Sequence, residues 1–385
     1  MTLPLHDLAR VTSYAEADEI LCSRRFAQES KHESAPLIGD TVLVLDGPPH
    51  LQRRRLLAPL VARGALADYH AVISRTLDRC IDAMVEPAGD EWAADLVALG
   101  RSVFLQFAAA VIGFDDVTDP DATAELLRHL GPILEAVTVE WSTRDHATVL
   151  AEGEAARDAV IARFYTPAAR RRAELVERGE APTDLLSLLA AHGEEWDEDA
   201  AVREVVLFLA ASTLNNVALL VHTAHELHAM GSSIEDMTDE QLHEAVYEAL
   251  RLYPPTVALL RRALTDVTLR DGRVIREGEY VAVDLAAANR DPAVFGPDAD
   301  VFRPGRPLPD RVRPWGLTFG SGPHLCLGRA VVTGSPAAPG VHVQILRTLA
   351  ALGLRPDPTR EPVLAASAQR RHDSYPVLLR HRPGR

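Results

Sequence analysis

From Asp199 to Met230 the chain reads "DAAVREVVLFLAASTLNNVALLVHTAHELHAM", an apolar-periodic run that demands a helix roughly 45 Å long at about 1.5 Å per residue. A helix of that length crosses an entire domain, so the rest of the chain must be able to wrap it. Its middle, "VVLFLAASTLNNVALLV", is almost wholly apolar, which suits either lipid or a deep protein core. Ser212, Thr213, Asn215 and Asn216 sit at its centre and charged residues flank it closely, which argues against a membrane span. The expectation is a buried central helix with a polar break.

The remaining composition can supply that wrapping. With 385 residues, 47% hydrophobic and 25% charged, there is enough apolar material for a large core. The balance of 40 basic against 55 acidic residues gives a net charge of −15, which argues against nucleic acid or an anionic membrane as a whole-surface partner. The amino terminus lacks the basic start, apolar run and small-residue cleavage site of a secretory signal, so a cytoplasmic location is expected. Cys22, Cys80 and Cys326 are odd in number and scattered, which supports neither a disulfide framework nor a structural zinc site. Any cysteine chemistry rests on one thiol.

Other apolar-periodic segments run over Arg53–Tyr69, Ala94–Phe114 and Thr183–His192, and the first two thirds of the chain are read as mostly helical. From Thr265 to Leu285, "TDVTLRDGRVIREGEYVAVDL" alternates about Asp-Gly and Glu-Gly turns and reads as short strands in hairpins. The fold class is therefore mainly α with a minor β region.

One cysteine stands in an unusual frame. In "TFGSGPHLCLGRA" Cys326 is preceded by Phe319, Gly322 and His324 and followed by Gly328. Glycines packed around one cysteine point to a backbone brought close to something bulky. The pattern Phe319-x-x-Gly322-x-x-x-Cys326-x-Gly328 resembles the heme-ligand loop of the cytochrome P450 family. Three further stretches stand in that family's order. "YEALRLYPP" carries Glu248-x-x-Arg251, one face of a helix that Pro254 ends. "VFRPGR", with Phe302 and Arg306, is similar to the segment that supplies a second arginine to that pair, and "AANRDPAVFGPDADVF" resembles the approach to it. "DGPPHLQRRRLLAPL" carries His50-x-x-x-Arg54, similar to the family helix whose His and Arg reach a heme propionate.

The resemblance covers the chain from about Val11 to its end and implies one P450 domain over residues 1–385, with heme b as cofactor and Cys326 as its metal ligand. A glycine-rich loop and a following helix amino terminus can stabilise a thiolate without acidic side chains. Anionic propionates need cations or hydrogen-bond donors, which the resemblance assigns to His50, Arg54, Arg261 and His324, with Arg262 as a substitute for its neighbour. Phe319, Gly322 and Gly328 complete the cofactor-binding set.

On the long helix the chain departs from its relatives. Counting back 35 residues from Glu248, the family's usual spacing, places Thr213 at the position of an alcohol and Ser212 at that of an acid which handle protons during oxygen activation. A serine cannot carry that acid's charge at neutral pH, though it can hold a water chain. The alternative register, with Leu214 at the alcohol position, leaves no alcohol at all. Two more departures lie elsewhere. The family's first helix and strand hairpin are short or missing before "VTSYAEADEILCSRRF", and "TGSPAAPG", Thr333–Gly340, interrupts the helix expected after Cys326 with an insertion of about six residues.

The function the resemblance implies is a heme-thiolate monooxygenase that oxidises a small to medium organic substrate, in natural-product biosynthesis and with a carrier-bound substrate as one form. Small apolar residues, Ala210 and Ala211 with Thr213 and then Thr256–Leu259, are the expected pocket lining. A separate ferredoxin with its ferredoxin reductase would supply electrons, docking on Arg53, Arg311, Arg313 and Arg329. The lost acid keeps oxidative coupling, rearrangement or peroxide-driven chemistry as the alternative, and a heme protein with impaired turnover as a third.

Overall fold

The computed structural model describes residues 8–334, 338–365 and 371–381, without the side chains of Arg63 and Trp141. Its contacts divide the chain into two compact units, and the division falls inside the long helix, between Val217 and Ala218.

The first unit takes the chain up to Ser30, Val85–Val97 and everything from Ala218 on. It holds the sheets. The central one has four strands in the order Ala9–Val11, Tyr280–Asp284, Ala258–Ala263 and Phe26–Gln28, with Ala9 opposite Val281 in the parallel pair and Phe26 opposite Ala263 in an antiparallel one. The expected hairpin region lies beside it: Val267–Thr268 pairs with Val274–Ile275 about a turn in which Gly272 takes φ +86°, a conformation that suits glycine. Helix Tyr14–Cys22 starts where the Ser13 hydroxyl accepts from the Glu16 N–H, and it buries Tyr14, Ala17, Ile20 and Leu21 against this sheet's core. Helix Asp239–Leu252 begins with a reciprocal cap between Thr238 and Gln241 and stops ahead of Pro254.

The second unit, Lys31–Met84 with Ala98–Val217, is helical. Gly153 lets helices Pro120–Val137 and His146–Val160 meet, since a Cβ there would fall 2.2 Å from that of Ala136. The apolar segment expected over Arg53–Tyr69 is in fact two helices, Gly47–Leu57 and Arg63–Met84, joined by a 3₁₀ turn at Ala58–Val61. Pro59 cannot donate to a continuing helix, which accounts for the change. Ala94 and Asp95, read as helical, end strand Glu91–Asp95, and the helix runs from Leu96 to Ile112.

The long helix spans Glu198–Ala229, 32 residues without interruption. The expected polar break is absent, and two of the four central polar side chains bond back along their own helix. The Thr213 hydroxyl donates to the Leu209 carbonyl at 2.8 Å and the Asn216 amide to the Ser212 carbonyl at 2.7 Å. By composition it could cross a membrane, but 61% of its most apolar 18-residue window is buried inside the protein.

Candidate functional site

The cysteine loop is built by backbone hydrogen bonds rather than by side chains. The Cys326 N–H donates to the Phe319 carbonyl at 2.8 Å, the Gly320 N–H to Leu317 at 2.7 Å, and the Leu325 N–H to Gly322 at 3.2 Å. Gly322, at φ +66°, lies against helix Tyr14–Cys22, where a Cβ would come within 2.7 Å of the Cys22 Cα. His324 closes a single 3₁₀ turn that starts at Gly322. Cys326 is exposed, and beside it a Cβ at Gly328 would meet nothing within 4 Å. The loop leaves Cys326 accessible next to open space at Gly328.

The loop is anchored to the helix behind it by a residue that motif spacing does not single out. Asn289, fully buried, accepts from the Leu317 N–H at 2.7 Å and donates to Thr318 Oγ1 at 2.9 Å and to the Arg251 carbonyl at 3.1 Å. Gly316 must be glycine here, since a Cβ would fall 2.2 Å from the Asn289 oxygen. In the sequence "AANRDP" reads only as an approach to the arginine segment; a buried asparagine announces itself in a sequence only through its neighbours.

The expected Glu-Arg-Arg core is present. Arg251 donates to both oxygens of Glu248 at 2.7 Å, and Arg306 reaches the same carboxylate at 3.3 Å. Arg251 also donates to the Asn289 and Ala299 carbonyls, and Arg306 to those of Phe295, Asp298 and Val301. Arg306 also holds the Asp298 carboxyl below its ordinary value. With every guanidinium bonded this way, the cluster is structural.

Arg261 lies on strand Ala258–Ala263, 4% exposed, and donates to Gln28 Oε1 at 3.1 Å and to the Leu260 carbonyl. Arg262 instead pairs with Glu29 at 2.7 Å. Thr256–Leu259, the expected pocket lining in this unit, are half-buried.

In the helical unit His50 and Arg54 stand one turn apart on helix Gly47–Leu57, His50 buried and Arg54 half-buried. Thr213 is 1% exposed, Ser212 half-buried and Ala211 exposed. Because the Thr213 hydroxyl gives its proton to Leu209, its oxygen keeps lone pairs for an incoming donor.

Arg53 does not belong to an exposed docking patch. Its guanidinium stacks 3.7 Å over the Trp196 ring, donates to the Asp40 carbonyl, and pairs at 3.0 Å with Glu204, which is wholly buried. Burial pushes the Glu204 carboxyl up to about 7 despite Arg53 and the Val42 N–H, which donates to it at 3.1 Å. Nothing in the local sequence flags this pair, 151 positions apart. Arg311 and Arg313 are exposed, whereas Arg329 packs against the Trp315 ring.

After Cys326 the helix is broken at the stretch expected to be an insertion: Arg329–Thr333 stops after five residues, and Val341–Ala351 starts afresh. Its residues 335–337 lie outside the described part. Its two ends are pinned by adjacent turns of helix Asp239–Leu252, through the Tyr247 hydroxyl to the Thr333 carbonyl at 2.9 Å and the Gly340 N–H to His243 Nε2 at 3.1 Å.

These features bear on what cofactor the loop accepts. Cys326 offers one exposed thiol, and among the described residues no group of three or more His, Cys, Asp and Glu is placed to hold a metal ion. A lone thiolate suits iron that arrives with its other ligands in a macrocycle, and the open face at Gly328 admits a flat group. The residues present fit heme b.

Comparison with known proteins gives the same family throughout. Residues 232–332 match the family model "Cytochrome P450". Over 108 residues the chain is 44% identical to Cytochrome P450 119 of Sulfurisphaera tokodaii, a match covering 26% of this chain and 28% of that one. The aligned part thus spans little more than a quarter of that relative. Over 360 residues it is 28% identical to Putative cytochrome P450 137 of Mycobacterium tuberculosis, covering 85% and 72%. In structure it is similar to P450BioI, solved in complex with an acyl carrier protein ligated to hexadec-9Z-enoic acid, with a TM-score of 0.75 at 21% identity over 96% of this chain and 92% of that one.

Proposed function

This chain belongs to the cytochrome P450 family, and we propose that it is a heme-thiolate monooxygenase acting on a small to medium organic substrate. The observation that carries the reading is the cysteine loop, with its one exposed thiol in a frame of backbone hydrogen bonds. Cys326 would be the axial ligand. His50, Arg54, Arg261 and His324 would hold the propionates, and Phe319, Gly322 and Gly328 would shape the thiolate side. Heme b, when bound, supplies the activation of dioxygen that no side chain can perform.

The protein's own part is to position, shield and handle protons. Thr213 Oγ1 can accept a hydrogen bond while its own O–H stays anchored on Leu209, so its role would be to hold a proton-carrying water in place. Ser212 can orient a water but cannot release a charge-balancing proton as a carboxylic acid would. Ala210 and Ala258 are small, and the half-buried Thr256, Val257 and Leu259 carry neither charge nor ring, which suits an aliphatic or bulky substrate. A carrier-protein-bound substrate is supported by the neighbour solved with an acyl carrier protein. Electrons would come from a separate ferredoxin and its reductase, docking at Arg311 and Arg313, in the cytoplasm. The serine at the acid's position favours a second reading, peroxide-driven oxidation or oxidative coupling.

The test has two steps. The reduced protein with carbon monoxide should show the red-shifted Soret band of thiolate-ligated heme, and Cys326→Ser should lose it; a band surviving in that variant overturns the assignment. Product formed per NADPH consumed should then fall in Thr213→Ala and hold or rise in Ser212→Asp. Equal coupling in parent and Thr213→Ala would remove the relay and raise the second reading above the first.

A further inference from the structure

A line of aromatic rings leads from a surface cleft to the cysteine loop. His243 and Tyr247 have ring centroids 5.8 Å apart, Tyr247 meets Trp315 edge to face at 5.2 Å, and Trp315 meets Phe319 edge to face at 5.7 Å. The last ring belongs to the residue whose carbonyl receives the Cys326 N–H. At the other end Tyr247 lines a cleft of about 670 Å³ together with Glu240, His243, Glu244, Leu308 and Pro314 and with the paired Glu248 and Arg306. Of the cleft's lining only Glu248 and Arg306 belong to the ion cluster beside the loop, and the line of rings has no part in that cluster.

We propose that Trp315 is a redox station through which the protein, given a hydroperoxide, oxidises an electron-rich arylamine seated in this cleft. The inference rests on the heme-thiolate reading, since the oxidising equivalents arise at the group that Cys326 ligates. Trp315 has the most electron-rich ring of the line and is nearly buried, at 8% exposure, so its electrons pass by ring contact rather than to solvent. The Arg329 guanidinium, 5.7 Å over its ring, holds the indole in place, and its charge raises the potential at which the ring gives up an electron, which makes an oxidised Trp315 a strong acceptor for an electron from the cleft. The cleft is large enough for a one-ring donor, and Glu240 and Glu244 in its wall tolerate the cation that a neutral arylamine becomes on losing an electron.

The chemistry balances. The hydroperoxide O–O bond breaks, and ROOH takes two electrons and two protons to give ROH and water. The protons come from solvent, and the electrons come singly from two arylamine molecules, each leaving as a radical cation. Trp315 gives one electron inward and regains one from the cleft side in each step, so it is unchanged overall.

The experiment uses the heme-loaded protein, cumene hydroperoxide, and tetramethyl-p-phenylenediamine as donor, with parent, Trp315→Phe and Trp92→Phe. Trp92 lies on strand Glu91–Asp95, where its ring contact is with His381 rather than with this line. Rapid-freeze electron paramagnetic resonance should show an indole radical in the parent and in Trp92→Phe, lost in Trp315→Phe. The diamine should quench it and be oxidised by the first two proteins, and oxidation should be lost in the third. A parent with a normal carbon monoxide band, yet with the same radical and diamine rate as Trp315→Phe, overturns this inference alone. A parent without that band overturns both this inference and the heme-thiolate reading. Should Trp315→Phe not take up heme, mass-spectrometric mapping of the peroxide-treated parent decides: oxidation at Trp315 supports the station, and oxidation confined to other residues overturns it.

Discussion

Replacing Glu204 by glutamine tests whether a buried acid on the long helix sets how this protein's stability responds to pH. Glu204 is wholly buried, and its carboxyl stands at about 7 against an ordinary 4.5 because burial outweighs the Arg53 ion pair. For an acid raised in the folded state, the unfolded chain releases its proton first as pH rises. The native state therefore holds the extra proton between about pH 4.5 and 7, and stability falls across that window, the full cost being present above it. At about 1.36 kcal/mol per pH unit, that cost is about 3 kcal/mol. A glutamine at this position would keep the side chain's length and its acceptor for the Val42 N–H and Arg53, but it does not titrate. Urea unfolding of heme-loaded parent and Glu204→Gln at pH 5, 6, 7 and 8 should show the parent losing most of that amount relative to the variant as pH rises; urea is chosen because it adds no screening ions. Parallel stability curves, or a parent that gains on the variant at higher pH, would refute the argument, because either result means the Arg53 pairing fully offsets the desolvation.

Other substitutions probe the ion cluster, the propionate set and the insertion. Glu248→Ala leaves Arg251 and Arg306 buried without their carboxylate and should cost about 3–5 kcal/mol, read as a large fall in melting temperature or in soluble yield. Arg54→Ala and Arg261→Ala together should lower the heme retained after gel filtration, since two proposed propionate partners are lost, and unchanged occupancy would remove both from the site. Gly340→Ala would place a Cβ 1.9 Å from the Val332 carbonyl and should lower the melting temperature, whereas Gly193→Ala, with nothing within 4 Å, should not.

What the sequence discloses depends on how far apart the interacting residues lie along it. Cys326 and its frame fall within ten positions, and Glu248 and Arg251 within one helical turn, so spacing alone exposes them. The Arg306 contact is reachable only because a neighbouring phenylalanine marks its segment. Arg53 shows the opposite case. In "HLQRRR" it looks like one member of a solvated basic run, and only the fold reveals that it pairs with the buried Glu204 while nearby Arg55 stays exposed. The long helix misleads for a related reason. Serine, threonine and asparagine in a helix either break it or bond to its own carbonyls, and composition cannot choose between the two. At Thr213 the bond to Leu209 decides the matter. That same bond limits what a serine at position 212 can mean for the proposed chemistry: a threonine already anchored as a donor presents only lone pairs, so it can hold a proton donor but passes on no proton of its own, and the group beside it that still has one to give is the Ser212 hydroxyl with the water it can hold.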